Sequence, residues 1–220
     1  MSGGTAELIL FGMVAAFLVL RLRSVLGKRT GFERPAQPVV APGLRPVEPR
    51  PGMAAPAAQP GQPRLVVPDA RTPPGQALSR IAAVDPSFDP YAFLHGAEGA
   101  FRMIVGAFAA GDRATLKPLL SDDSYAGFEH AISAREQAGE TQRTEVRAVG
   151  EMAIDSADLR GTVADVTVKF VTDQVNITMA ADGSVAHGHD GVTELADLWT
   201  FQRDLRSPDP TWRLVATRSV

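Results

Sequence analysis

The residues of this chain best equipped for chemistry are four histidines and a scatter of aspartates, with no cysteine anywhere. His187-Gly188-His189-Asp190 is the one cluster whose residue types suit a metal ion, since imidazole and carboxylate are ordinary zinc ligands. Gly188 and Gly191 place it in an exposed turn, and no further ligand pair falls near it, so a polar turn without metal is expected. Ser-His-Asp catalysis calls for a nucleophile held in a sharp turn, and no Gly-x-Ser-x-Gly is present. There is no glycine-rich phosphate loop either. Asp165 is the most tempting general base for a pocket enzyme. Its neighbours Thr167 and Lys169 share its face of a strand, however, and that face reads as the solvent side. His95 and His130 fall on helical patterns and are expected as partly buried polar groups. Without cysteine, disulfide, zinc-thiolate and thiol-nucleophile chemistry are all excluded. The expectation is a protein that is not an enzyme and that needs neither cofactor nor metal.

The organisation around these residues is uneven. Of 17 prolines, twelve lie between Pro35 and Pro74. Residues 1–84 carry ten Lys/Arg against four Asp/Glu, whereas residues 85–220 carry twelve against 21. An acidic folded part argues against nucleic acid as a partner, and a basic front suits an anionic membrane surface. Leu8 to Leu20 contains no charge, and Leu22, Val25 and Leu26 carry the apolar face past Arg21 and Arg23 to nineteen positions, within the length a membrane span needs. Glu7 precedes the apolar run and Arg21, Arg23, Lys28 and Arg29 follow it. That order disfavours a cleaved signal peptide and leaves the C-terminal part in the cytoplasm. The predicted layout is an anchor over residues 1–26, a disordered Pro/Ala-rich linker over 27–84, and a folded domain over 85–220. PxxP spacings in the linker, such as Pro35-Ala36-Gln37-Pro38, are the type that proline-binding modules read.

The domain reads as helices followed by strands. Asp89 is placed as an N-cap with Pro90 at the first helical position. Phe93, Ala97, Phe101, Ile104, Val105 and Phe108 then recur at helical spacing up to Ala110, and Gly111 ends the helix. A short helix capped by Asp112 buries Leu116, Leu119 and Leu120, with Pro118 expected to split it. A third runs from Asp122 to Ala138 with Tyr125, Phe128 and Ile132 inward. Beyond Glu140 the period becomes two. Val146, Ala148, Met152 and Ile154 share one face, then Ala164, Val166, Val168 and Phe170. Thr172-Asp173 is read as a turn into Val175, Ile177 and Met179, and Asp182-Gly183 as the next. Two closing strands place Trp199 with Phe201, and Trp212 with Leu214 and Ala216. The fold class is α+β: two or three helices on one face of a curved antiparallel sheet of about four strands.

These residues also carry a family resemblance. Phe93-Leu94-x-Gly96-Ala97, Ala100-Phe101, Ala107-Phe108-x-x-Gly111-Asp112 and Leu116-x-Pro118-Leu119-Leu120-Ser121 begin a series of short motifs. Arg135-Glu136-x-x-Gly139, Asp197-x-Trp199-Thr200-Phe201-x-Arg203 and Asp209-Pro210-x-Trp212-x-Leu214 complete it. Together they resemble the Tim-type import adaptor family, that of mitochondrial import inner membrane translocase subunit 44, over Asp85 to Thr217. Arg21-Leu22-Arg23-Ser24-Val25-Leu26-Gly27 resembles the shorter, membrane-anchored bacterial members. The resemblance implies a nuclear-transport-factor-two-like cone and a non-enzymatic adaptor at an inner membrane. The mitochondrial relative recruits a chaperone motor to a translocation channel and contacts cardiolipin. A hydrophobic anchor stands here in place of its long chaperone-binding segment.

Phe101, Ile104, Phe108, Phe128, Ile132, Phe170, Trp199 and Trp212 are expected mainly as core, and as the lining of an apolar concavity if the cone stands open. The expected function is that of a single-pass adaptor of the bacterial inner membrane, binding a membrane-associated protein partner, with lipid as a second ligand. Its place would be protein translocation or membrane-protein assembly. The alternatives are a pocket enzyme of the same cone, isomerase- or dehydratase-like, or an acyl-chain-binding module.

Overall fold

The computed structural model describes residues 62–220. The expected anchor, its flanking Arg21, Arg23, Lys28 and Arg29, and the linker up to residue 61 lie outside the described residues. Among the described residues no helix is long and apolar enough to cross a membrane. The elements are β1 (Arg64–Val66), α1 (Pro73–Val84), α2 (Pro90–Ala110), α3 (Arg113–Leu119), α4 (Asp122–Gln137), β2 (Thr141–Arg160), β3 (Val163–Met179), β4 (Val185–Asp204) and β5 (Arg213–Ser219). Four helices pack against a five-stranded sheet in the order β1-β2-β3-β4-β5, an α+β architecture.

The folded unit starts before residue 85. Residues 64–84, expected as the end of a disordered linker, form β1 and α1. Thr72 caps α1 by accepting the Gly75 N–H at 3.2 Å, and Pro73 opens the first turn, where its missing N–H is no loss. Ala77, Leu78 and Ile81 then form a narrow apolar stripe that is buried against the rest of the core. Burying Leu78 and Ile81 contributes about 1.5–3 kcal/mol each toward ordering a helix that proline-rich composition disguised. β1 adds the other departure. It runs parallel to β2, with Leu65 opposite Met152, so the sheet is mixed and has five strands instead of about four.

The helices otherwise follow their caps. The Asp89 carboxylate accepts the Ala92 N–H at 2.7 Å to start α2. Gly111, at φ 73°, ends it in the left-handed region that favours glycine. Asp112 and Ser121 cap α3 and α4 in the same way. Pro118 does not split α3, because it sits in the last turn, where only one more residue follows. The Ser121 N–H donates to the Leu214 carbonyl at 3.0 Å and ties the helical layer to β5.

The sheet departs from strict alternation at bulges. Extra residues in β2 fall between Val146 and Ala148 and between Val149 and Glu151. The inward set is therefore Val146, Val149, Met152 and Ile154, while Ala148 is exposed. A bulge resets a strand's facing by one residue, which a strict period of two cannot anticipate. Thr172-Asp173 is not a turn. β3 runs unbroken, and its even-numbered residues stay inward from Ala164 through Phe170 to Thr172, Gln174 and Thr178. Gln174 Nε2 donates to Thr172 Oγ1 at 2.7 Å, so Thr172 and Gln174 partner each other inside. The turn expected at Asp182-Gly183 is present, with Gly183 at φ 82°. A further bulge opposite Thr200 leaves Ala216 exposed while Leu214 is buried.

Candidate functional site

Aromatic rings pack the interior between the helices and the sheet. Phe101 stacks on Phe170 with ring centroids 4.7 Å apart and meets Trp199 at the same distance. Phe170 and Trp199 are edge-to-face at 6.0 Å. Ile104 and Ile132 are fully enclosed around them, and Phe128 is buried edge-on against Phe108. Of the eight residues proposed for a concavity, only Phe108 and Trp212 reach the surface, and they reach it at two separate places. Spacing along helices and strands brings these side chains to one interior but does not decide whether they leave a void in it. The Trp199 indole N–H is buried without a hydrogen-bond partner among the described residues.

The first place is a groove of about 410 Å³ along the exposed side of α2. Its walls are aromatic: Trp212 packs edge-on to Phe93 at 5.0 Å and tilted on Phe88 at 5.8 Å. Its floor is α2 itself at Gly96 and Gly99, where an added Cβ would meet nothing within 4 Å. Met103, half exposed, borders it on α2. The acidic end is built by Asp85, Asp89 and Arg203. Arg203 and Asp85 pair at 2.9 Å with side chains only 15% and 12% exposed, so this ion pair is a partly desolvated strut. The Ser87 hydroxyl and N–H both bind the Asp85 carboxylate, and with the Arg203 charge they hold it below the usual carboxylate range against the opposing pull of burial. Asp89 is exposed, and among the described residues its carboxylate makes one polar contact, the helix cap.

The second place is an open cleft of about 290 Å³ beneath the ends of α2 and α4. Arg135 organises it. Its guanidinium lies 5.2 Å from the centre of the Phe108 ring and donates to the Phe108 and Ala109 carbonyls at 2.8 and 3.2 Å and to Gln142 Oε1 at 2.6 Å. Cation and carbonyls meet at a helix C-terminus, where the dipole favours positive charge. Burial pushes the Arg135 pKa down. His187 and His189 form the opposite wall with Asn176 and Thr178. They do not sit in a turn: they lie on β4, facing Thr178 and Asn176 across the ladder. Gly188 between them is at φ 77°, and a Cβ there would fall 2.2 Å from the Asn176 carbonyl, so the tight crossing needs glycine. His189 Nδ1 accepts the Gly191 N–H at 2.9 Å, which assigns the proton of the neutral ring to Nε2.

The remaining candidates do not converge. Asp165 is bound by Arg160 and by Gln202 at 2.7 Å on the outer side of the sheet. His95 and His130, expected as partly buried, are both exposed. Among the described residues no three His, Asp or Glu side chains come together. Sequence reasoning did not single out α1, Arg135 as the anchor of a cleft, or the inward Thr172, Gln174 and Thr178. The last had a readable signal, the unbroken even-numbered parity of β3.

Four helices laid on a five-stranded mixed sheet, with aromatic rings packed between the layers and an apolar groove on the outer helix, define an α+β domain. The chain belongs to the Tim44-like domain family, which it matches over residues 75–219. The match begins inside α1, in agreement with the early start of the fold. The crystal structure of the intermembrane space region of chloroplast protein ARC6 is similar at 12% identity and a TM-score of 0.43, covering 61% of this chain and 98% of that one. A search of curated proteins finds no match.

Proposed function

We propose that this protein is a membrane-tethered, non-enzymatic adaptor whose Tim44-like domain docks a protein partner in protein translocation or membrane-protein assembly at a bacterial inner membrane. The observation that carries the reading is the α2 groove. It combines aromatic walls, a glycine floor and the half-exposed Met103 on a domain whose own core is already complete. Exposed apolar surface of this kind suits a partner's side chains. The apolar run and basic flank of residues 8–29 supply the tether, with the domain on the cytoplasmic side. A photo-cross-linker in place of Met103, activated in intact membranes, should capture a translocation or assembly subunit reproducibly. Efficient labelling with no such capture would sink the adaptor reading. Digestion of the domain in spheroplasts by external protease would refute the orientation.

A second reading, a module for a small polar ligand, is favoured by the Arg135 cleft, where among the described residues no carboxylate lies within ion-pair distance of the cation and Glu136 and Glu140 act on it only at longer range. A thermal upshift with small carboxylates that Arg135→Gln abolishes would support it.

A further inference from the structure

We infer that the α2 groove is also the docking site of the chain's own proline-rich segment, Pro42–Pro51, which thereby competes with the partner for one surface. The competition rests on the groove being the partner's site, whereas the docking does not. Three features of the groove suit an extended proline-rich strand. Trp212 and Phe88 offer flat aromatic faces at an angle to each other. The Trp212 indole N–H has no hydrogen-bond partner among the described residues and is not sealed from solvent. Asp89 presents an exposed carboxylate without an ion pair among the described residues. A polyproline-II strand makes no internal hydrogen bonds, so its carbonyls need outside donors and its rings need aromatic faces.

The segment supplies the complementary chemistry. Pro42-Gly43-Leu44-Arg45-Pro46-Val47-Glu48-Pro49-Arg50-Pro51 has Pro46 and Pro49 three apart, on one edge of a helix with three residues per turn. Arg45 and Arg50 flank that pair, so either direction of docking brings a guanidinium toward Asp89. The charges favour encounter over a longer range: residues 27–61 hold five Lys/Arg and two Asp/Glu, against the acidic excess of residues 85–220. Reach is sufficient. β1 and β5 are the two edges of the sheet, four strand spacings or about 19 Å apart. The twelve residues 52–63 can extend to about 40 Å. Tethering at this length gives an effective concentration of order mM, so a weak contact suffices to hold the segment while a tighter partner still displaces it.

The chain has no cysteine, which makes the test clean in the whole chain. Gly96 and Val185 are both exposed, one in the groove and one at the far β3–β4 turn. Under a mild oxidant the Val47→Cys/Gly96→Cys chain should form its internal disulfide about tenfold faster than Val47→Cys/Val185→Cys, as expected of a held segment over a freely sampling one. Pro46→Ala/Pro49→Ala should erase the difference. Asp89→Asn, which keeps the helix cap but not the charge, should reduce it. Equal rates for the two pairs overturn the docking, and a rate that rises with protein concentration overturns it in favour of a second copy. In membranes, Pro46→Ala/Pro49→Ala should raise partner capture from Met103 severalfold; unchanged capture overturns the competition. Capture absent from both chains, with the fast disulfide present, refutes the adaptor reading and leaves the docking intact.

Discussion

Replacing Gly96 and Gly99 by alanine separates folding from binding more sharply than any other change. Both lie inside α2, both are exposed, and the added methyl of either would meet nothing within 4 Å. Glycine in an exposed helix interior costs roughly 0.5–1 kcal/mol relative to alanine, because the unfolded chain loses more freedom. The double variant should therefore be more stable by about 1–2 kcal/mol, raising Tm by roughly 2–8 °C for a domain of this size. Gly106 offers an internal control: it is equally open but does not line the groove. Gly106→Ala should stabilise by a similar increment and leave partner capture unchanged. Gly96→Ala/Gly99→Ala should stabilise and yet lose capture, since two methyls rise from the floor. Urea denaturation with an unchanged m-value measures the first effect and cross-linking from Met103 the second. A double variant that is stabilised and still captures partner as well as the parent would refute the groove as the docking face. One that is destabilised would refute the reading of α2 as locally unconstrained.

Two further outcomes bear on the interior and its strut. Trp199→Ala should cost about 3–5 kcal/mol, as for other buried aromatic truncations, because its ring is 3% exposed and contacts Phe101, Phe170 and Phe201. Trp199→Phe should cost clearly less, since it also removes an indole N–H buried without a partner, a group penalised by about 1–3 kcal/mol; equal losses in urea denaturation would refute that account. Asp85 is held with a depressed pKa when folded, so its contribution is present above the unfolded value of about 3.9 and fades as pH falls through the lower folded value. Asp85→Asn should cost about 2 kcal/mol at pH 7, and the gap from the parent should close as pH is lowered below about 4. A gap that stays constant down to acid-induced unfolding would show that the ionised carboxylate, held by Ser87 and Arg203, is not what stabilises.

The helical layer was legible because its signals are local. Asp89, Asp112 and Ser121 cap helices where their side chains can reach an N–H three residues on, and Gly111 stops α2 because only the backbone conformation there demands it. α1 carried the same signals in Thr72 and Pro73, but its stripe of Ala77, Leu78 and Ile81 is short and follows a run of prolines. Composition averaged over the linker hid it. The sheet was legible wherever parity ran unbroken, as from Ala164 to Phe170, and illegible at the bulges of β2, where one extra residue turns Ala148 outward and Val149 inward.

By itself, then, the sequence determined the α+β order, the caps and stops of its helices, the aromatic interior and the family, because each depends on residues close together in the chain or on motifs in a fixed order. Tertiary structure alone decided that Phe101, Phe170 and Trp199 close on one another in the interior, since packing density depends on how distant surfaces fit. It also decided that Trp212, remote in sequence from Phe88 and Gly96, stands beside both and turns a plain helix face into a groove. A contact spanning more than a hundred residues leaves no periodicity for a sequence to display.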